Sequence, residues 1–302
     1  MDIKSLKKRL LPCGLFKFCW LLFLVLPLFV GCTEYVDLNL GSIPPRFVVD
    51  GCITTDTTTH YVKLSLTADF FSNDKAPVVS GARVTLDDGF SKLLLEEWSG
   101  GSGVYFTPPN FHGVAGRTYH LKIENVDVNR DGVFEVYEAQ STMPDLLHID
   151  SIGYSYVEKD KLWRVLYYAR DNPDVDDFYM FSVAKNDSLV SDQYSETICT
   201  DDKFFNGNYA YGAWVQNIRK ENRDGDVVIT MKKGDWITLY VGGINKPFFD
   251  YVTALSDETG YKNPVFSGPP ANIKGNVSNG ALGYFTTYSV VSAKVMVKED
   301  YK

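Results

Sequence analysis

The chain has 302 residues, a hydrophobic fraction of 45%, a charged fraction of 23% and a formal charge of −8. That length allows one large or two ordinary domains, and the composition excludes wholesale disorder. The first 31 residues are basic (Lys4, Lys7, Lys8, Arg9 and Lys17 against Asp2), so the rest is strongly acidic; such a body repels nucleic acid and anionic head groups, and membrane contact requires an anchor.

The basic start leads into an apolar run, FCWLLFLVLPLFVG, from Phe18 to Gly31. This is shorter than the roughly 20 residues of a spanning helix. It has the charged-then-apolar order of a secretory signal, assigned to residues 1–31. The end, Leu28-Phe29-Val30-Gly31-Cys32, resembles the lipobox of bacterial lipoproteins, with Phe29 where Leu is commoner. In such proteins the cysteine becomes the first mature residue and carries acyl chains, palmitate among them. Several chains at about 0.8 kcal/mol per buried CH₂ anchor a protein durably. The alternative is ordinary cleavage with Cys32 unmodified. Residues 32–45 form a tether, stiffened by Pro44-Pro45.

From Arg46 the pattern has period two. Val62, Leu64 and Leu66 share a face in HYVKLSLT, as do Ala82, Val84 and Leu86 in ARVTLDDG. Tyr119, Leu121 and Ile123 do so in RTYHLKIEN. These are half-buried strands, separated by turn signals at Asn73-Asp74, Gly100-Gly101, Gly113 and Asp131-Gly132. They predict an immunoglobulin-like β-sandwich over 46–143. Thr142-Met143-Pro144 marks a break, and a C-terminal β-rich domain is expected over 144–302. Its strands are WRVLYYAR, DFYMFSVA, DVVITM, DWITLYV and TYSVVSAKVMV, with a hairpin signal at Asp224-Gly225. In PFFDYVTALSDETG the apolar residues Phe248, Tyr251, Val252 and Leu255 follow helical spacing. Pro247 suits a helix start and Gly260 an end. The expected fold is all-β: two sandwiches in series, with one short helix in the second.

Several runs occur in a recognisable order: RFVVDGCITTDTTTHYVKLSLTADFF, VSGARVTLDDG, GVYFTPPNFHGVAGRTYHLKI, QSTMP, and finally PPANIKGNVSNGALGYFTTYSV. The succession resembles the family called domain of unknown function 4249, from about Arg46 to Val297. The closing run is its most specific part. The resemblance implies a lipoprotein of bacteria that rely on TonB-dependent outer-membrane transporters, with an accessory role beside one. It supplies no catalytic residue. Asp56-Thr57-Thr58, Asp150-Ser151-Ile152 and Asp187-Ser188-Leu189 resemble the short O-glycosylation sites of such bacteria.

Asp127, Asn129, Asp131, Gly132 and Glu138 match the D-x-[DN]-x-[DN]-G-x₅-E pattern of a calcium loop. Both flanks alternate as strands, however, so a plain hairpin with a turn at Asn129–Gly132 is the competing reading. The thiols left after processing, Cys52 and Cys199, could form a disulfide in an oxidising compartment or remain two buried thiols. Only His60, His112, His120 and His148 are present, with no Gly-x-Ser-x-Gly, His-Glu-x-x-His or Cys-x-x-Cys. Asp87-Asp88 and Asp176-Asp177 sit at turn-like places. Aromatics crowd FFNGNYAYGAW, Phe204 to Trp214; these rings either form a surface for sugars or a partner, or fill the second core.

The expectation is an outer-membrane-anchored, non-enzymatic accessory or binding partner of a TonB-dependent transporter. It lies on the periplasmic or cell-surface side and has no nucleic-acid partner. The alternative is a free-standing surface binder of glycan or peptide, or a hydrolase with an unrecognised site.

Overall fold

A computed structural model describes residues 44–68, 75–190, 197–218, 220–221, 227–259 and 273–299. The signal segment, Cys32 and most of the tether lie outside the described residues. So do the turn signals at Asn73-Asp74 and Asp224-Gly225, and Gly260.

The first half supplies β1 (Phe47–Thr54), β2 (Tyr61–Leu66), β3 (Arg83–Asp87), β4 (Lys92–Leu94), β5 (Glu96–Glu97), β6 (Val104–Phe106), β7 (Thr118–Val126) and β8 (Glu135–Thr142). The second half supplies β9 (Ser151–Val157), β10 (Leu162–Arg170), β11 (Phe178–Lys185), β12 (Ser188–Leu189), β13 (Ile198–Asp201), β14 (Tyr209–Ile218), β15 (Lys220–Glu221), β16 (Val227–Ile229) and β17 (Trp236–Gly243). A helix, α1 (Lys246–Thr259), and a last strand, β18 (Leu282–Met296), follow. The fold is all-β with a single described helix, as the sequence predicts.

Each half packs two sheets face to face. In the first, β4-β3-β7-β8 covers the β1-β2-β6-β5 part of a larger sheet. The residues of the period-two pattern meet there: Val62 and Leu64 from one side, Val84, Leu86, Tyr119, Leu121 and Ile123 from the other. In the second, β14-β10-β9 covers β11, β17 and the end of β18. Trp163, Val165 and Tyr167 of β10 pack with Phe181, Val183, Ile237 and Leu239.

The two sandwiches share β18. Its first part, Leu282–Tyr288, runs parallel to β1. Its second part, Ser289–Met296, runs antiparallel to β17. The division expected at 143/144 is therefore bridged by one continuous strand, and Phe285 from the C-terminal stretch lies in the first core. A strand of this length extends about 50 Å.

The closing run of the family resemblance acts as a latch beside this strand. The Asn276 amide donates to the carbonyls of Gln140 (3.0 Å) and Phe285 (2.7 Å), and its Oδ1 accepts from the Phe285 N–H (2.9 Å). Ser278 exchanges bonds with Glu138: its N–H donates to the Glu138 carbonyl, and its hydroxyl accepts from the Glu138 N–H. The backbone is packed too closely here for side chains. A Cβ on Gly283, which holds φ +85°, would lie 1.9 Å from the Val49 carbonyl oxygen, and one on Gly275 would lie 1.7 Å from the Gly283 oxygen. Sequence alternation does not reveal this latch, because it bonds through irregular backbone to the edge of β8.

Helix α1 starts where the sequence places it. Asn245 caps it, its Oδ1 accepting from the Phe248 N–H at 3.0 Å, so Pro247 falls in the first turn where no backbone donor is needed. Phe248 and Val252 bury against Met180, Ile244 and Tyr284. This covers the outward face of the shared sheet near the junction of its two parts.

Candidate functional site

The outward face of β9-β10-β14 carries the exposed aromatics Tyr211 and Trp214. In β10, Trp163, Val165, Tyr167 and Ala169 point into the core, so Arg164, Leu166, Tyr168 and Arg170 point out. Register then sets their neighbours. On β9, Ser155, Gly153 and Ser151 stand opposite Arg164, Leu166 and Tyr168. On β14, Asn217, Trp214, Tyr211 and Tyr209 stand opposite Arg164, Leu166, Tyr168 and Arg170.

Two bulges make that row possible, one of them leaving Val215 extra between Trp214 and Gln216. Tyr211 and Trp214 are three residues apart, and an unbroken strand would turn them to opposite faces. The register slips between Tyr167 and Tyr168, leaving Gly212 as the extra residue. Gly212 adopts φ +71°, where a Cβ would lie 2.8 Å from the Tyr168 hydroxyl. The extra residue restores both rings to one face.

The rings are held by charge and by one another. The Arg164 guanidinium lies 4.5 Å from the Trp214 ring centre, and Arg170 lies 5.9 Å from that of Tyr209. Tyr209 and Tyr211 have ring centres 4.4 Å apart. Trp214 Nε1 donates to Asn217 Oδ1 at 3.0 Å. Asp150 closes one end, bonded to His148 Nε2 at 2.7 Å and to the Tyr209 hydroxyl. Those two bonds, His148 first, hold its carboxyl below the usual range. Tyr211 is 83% exposed and Trp214 53%.

The run Phe204–Trp214 thus divides. Phe205 packs against the second core, whereas Phe204, Tyr211 and Trp214 are exposed. The loop before β14 is built on buried carboxylates whose role the sequence does not reveal. Asp171 accepts from the Tyr179 hydroxyl and from Gly207 N–H (2.8 Å), and Asp202 accepts from Asp177 N–H (2.8 Å) and Asn206 Nδ2 (3.3 Å). Burial, then the nearby Asp171, Asp202, Asp145 and Asp176, raises the Asp177 carboxyl to about 6.

The other predicted residues scatter. Asp127, Asn129 and Asp131 meet in a hairpin loop whose own N–H groups take up the carboxylates: Asp127 accepts from Asp131 (3.1 Å) and Gly132 (2.9 Å), and Asp131 from Val133 (2.8 Å). Glu138 is not brought to them. It stands opposite Lys122 in β8, three residues beyond the Glu135 that closes the hairpin, about 10 Å along the strand. Among the described residues, no group of three or more His, Cys, Asp or Glu side chains is arranged to hold a metal ion. Glu138 instead lines a polar groove of about 360 Å³ on the first sandwich, with Thr85, Asp87, Lys92, His120 and Lys122.

The disulfide is not formed: Cys52 and Cys199 are both free thiols. Strands β18, β17 and β11 stand between β1 and β13 in the sheet, a separation of about 19 Å at the usual strand spacing, far beyond disulfide reach. His60 is buried, its Nδ1 accepting from Thr54 N–H at 3.4 Å and its Nε2 lying 3.2 Å from the Asp56 carbonyl oxygen, so it packs the first sandwich. Asp88 is a turn residue, accepting from Phe90 and Ser91 N–H groups and pairing with Arg117 at 2.6 Å. Thr57, Ser151 and Ser188 are all exposed.

These features define an all-β protein of two sandwiches joined by a common strand, with an aromatic face borne on strands. The chain belongs to the family described as domain of unknown function (DUF4249), whose model matches residues 33–294. No curated protein matches it.

Proposed function

We propose that this chain is a lipoprotein held at the outer membrane through Cys32, serving as a non-enzymatic binding accessory of a TonB-dependent transporter. The lipobox-like Leu28–Cys32 supports the address, and the transporter is what the resemblance read from the sequence implies. One structural observation carries the mechanism: the body is entered at one end and bears its aromatic face at the other. The described chain enters β1 at Phe47, beside the Leu282 end of β18. The aromatic face belongs to the sandwich built on the Ser289–Met296 end. Along β18 the Ser289–Met296 segment begins about 23 Å from Leu282 and ends about 46 Å from it.

An anchor at the first end confines the protein to the membrane plane and raises its effective concentration beside a co-localised partner. Among the described residues no helix is long and apolar enough to cross a membrane; in the proposed reading acyl chains on Cys32 supply the anchor.

Two measurements on the native protein test this. Intact-mass and peptide analysis should find acylated Cys32 at the mature N-terminus. Extraction in mild detergent should bring down a TonB-dependent transporter in near-equal amount. An acyl-free, water-soluble protein, or one purifying alone, refutes the proposal.

A further inference from the structure

We infer that the outward face of β9-β10-β14 is a carbohydrate-binding platform for an extended pyranose chain. The inference goes beyond the proposed anchoring and does not depend on it. A pyranose has two contrasting surfaces: apolar faces of C–H groups and a rim of hydroxyls that both donate and accept. A site for it needs flat exposed rings next to planar polar groups. The C–H groups, slightly positive, rest on the negative faces of the rings.

Both requirements are met in the same rows. Trp214, Tyr211 and Tyr209 line one side of the face, on β14. Opposite them β9 offers only Ser155, Gly153 and Ser151, so that side is low. Tyr168 lies close over the backbone between: a Cβ on Gly153 would come within 3.2 Å of its ring, and one on Gly212 within 2.8 Å of its hydroxyl. The result is a shallow trough with an aromatic floor and one aromatic wall. Hydrogen-bonding groups recur along it: Arg164 and Asn217 at one end, Arg170, Asp150 and His148 at the other. Arg164 Nε is buried without a partner. From Arg164 to Arg170 the trough runs about 20 Å, long enough for several sugar rings.

A protein partner is the competing occupant, and the face suits it less. Protein hot spots sit in desolvated apolar pockets ringed by contacts that exclude water. Here the Tyr211 and Trp214 rings stand open to solvent, with polar groups at both ends of their row. A chain that follows the strands meets Arg164 and Asn217, then the rings, then Arg170 and Asp150.

The test is native affinity electrophoresis of the detergent-purified mature protein through gels containing dextran, barley β-glucan, xylan, pectin or chondroitin sulfate. At least one should retard it, and the same polymer should shift its tryptophan emission. Trp214→Ala and Tyr211→Ala should each weaken that binding at least tenfold. Both side chains are exposed, so their melting temperatures should stay within about 2 °C of the parent, a surface substitution costing little. Phe134→Ala, at an exposed ring on the first sandwich, should bind as the parent does. No retardation by any polymer overturns the inference, as does unchanged binding in both face variants. Loss of a co-purifying protein from those variants, without any glycan binding, would make the face a protein interface and also overturn it.

Discussion

Substituting Asn276 tests whether the closing run is a structural latch. The side chain makes three hydrogen bonds, two as donor and one as acceptor, tying the loop to β8 and β18. Each is worth about 0.5–1.5 kcal/mol net, so Asn276→Ala should cost about 3 kcal/mol. For a body of this size that lowers Tm by about 6–12 °C. Asn276→Asp should cost more at pH 7. It keeps the acceptor for Phe285 N–H, loses both donor bonds, and sets a carboxylate against two carbonyl oxygens. The assay is urea unfolding followed by circular dichroism and tryptophan emission together. Trp163, Trp214 and Trp236 report the second sandwich and Trp98 the first, and β18 belongs to both. The midpoint should therefore fall in one coincident transition with the slope unchanged. An Ala variant within about 0.5 kcal/mol of the parent refutes the latch, and so does an Asp variant as stable as the Ala variant. Separate transitions would refute the coupling through β18.

Two further outcomes follow from burial. Burial pushes the thiols of both Cys52 and Cys199 up to about 12, so neither should react with iodoacetamide at pH 8 in the folded protein, while both should react in denaturant without prior reduction; rapid native labelling, or a mass gain of two hydrogens on reduction, refutes this. The folded Asp177 carboxyl lies near 6, above its unfolded value near 4, so the folded state holds the extra proton between those values and loses stability as pH rises through them; Asp177→Asn should raise Tm at pH 7.5 and lose that advantage by pH 4.5, and an equal gain at both pH values refutes the assignment.

What the sequence makes legible is what alternation and spacing encode. Val62, Leu64, Tyr119 and Leu121 declare their faces through period two, and all reach the first core. Phe248 and Val252 declare a helix, with Pro247 at its start. The aromatic run stands out by composition, yet its face is not legible from it. Tyr211 and Trp214 share a face only because Gly212 inserts a bulge, and a bulge breaks the period that would announce it. The calcium pattern meets a related limit. It counts residues along the chain, whereas a hairpin carries Glu138 up a strand and away from the loop. The sharing of β18 was illegible because parallel pairing of Val48–Thr54 with Leu282–Tyr288 joins segments over 200 residues apart, and no local pattern records a partner at that distance.

These differences bear on what family membership can convey. The most recognisable run, through Gly275, Asn276, Ser278 and Gly283, is demanding because of backbone geometry. Its glycines sit where a Cβ would collide with a carbonyl oxygen, and its asparagine replaces backbone partners. It therefore reports the joint between the sandwiches and says nothing of a ligand. The aromatic face lies on strands of the other sandwich and touches none of those residues. A chain can keep the latch while its outward β10 and β14 side chains change, because those side chains support no core. On the proposal above, sugar affinity is set by Trp214, Tyr211, Tyr168, Arg164 and Arg170 themselves, while the latch ties only β8 to β18.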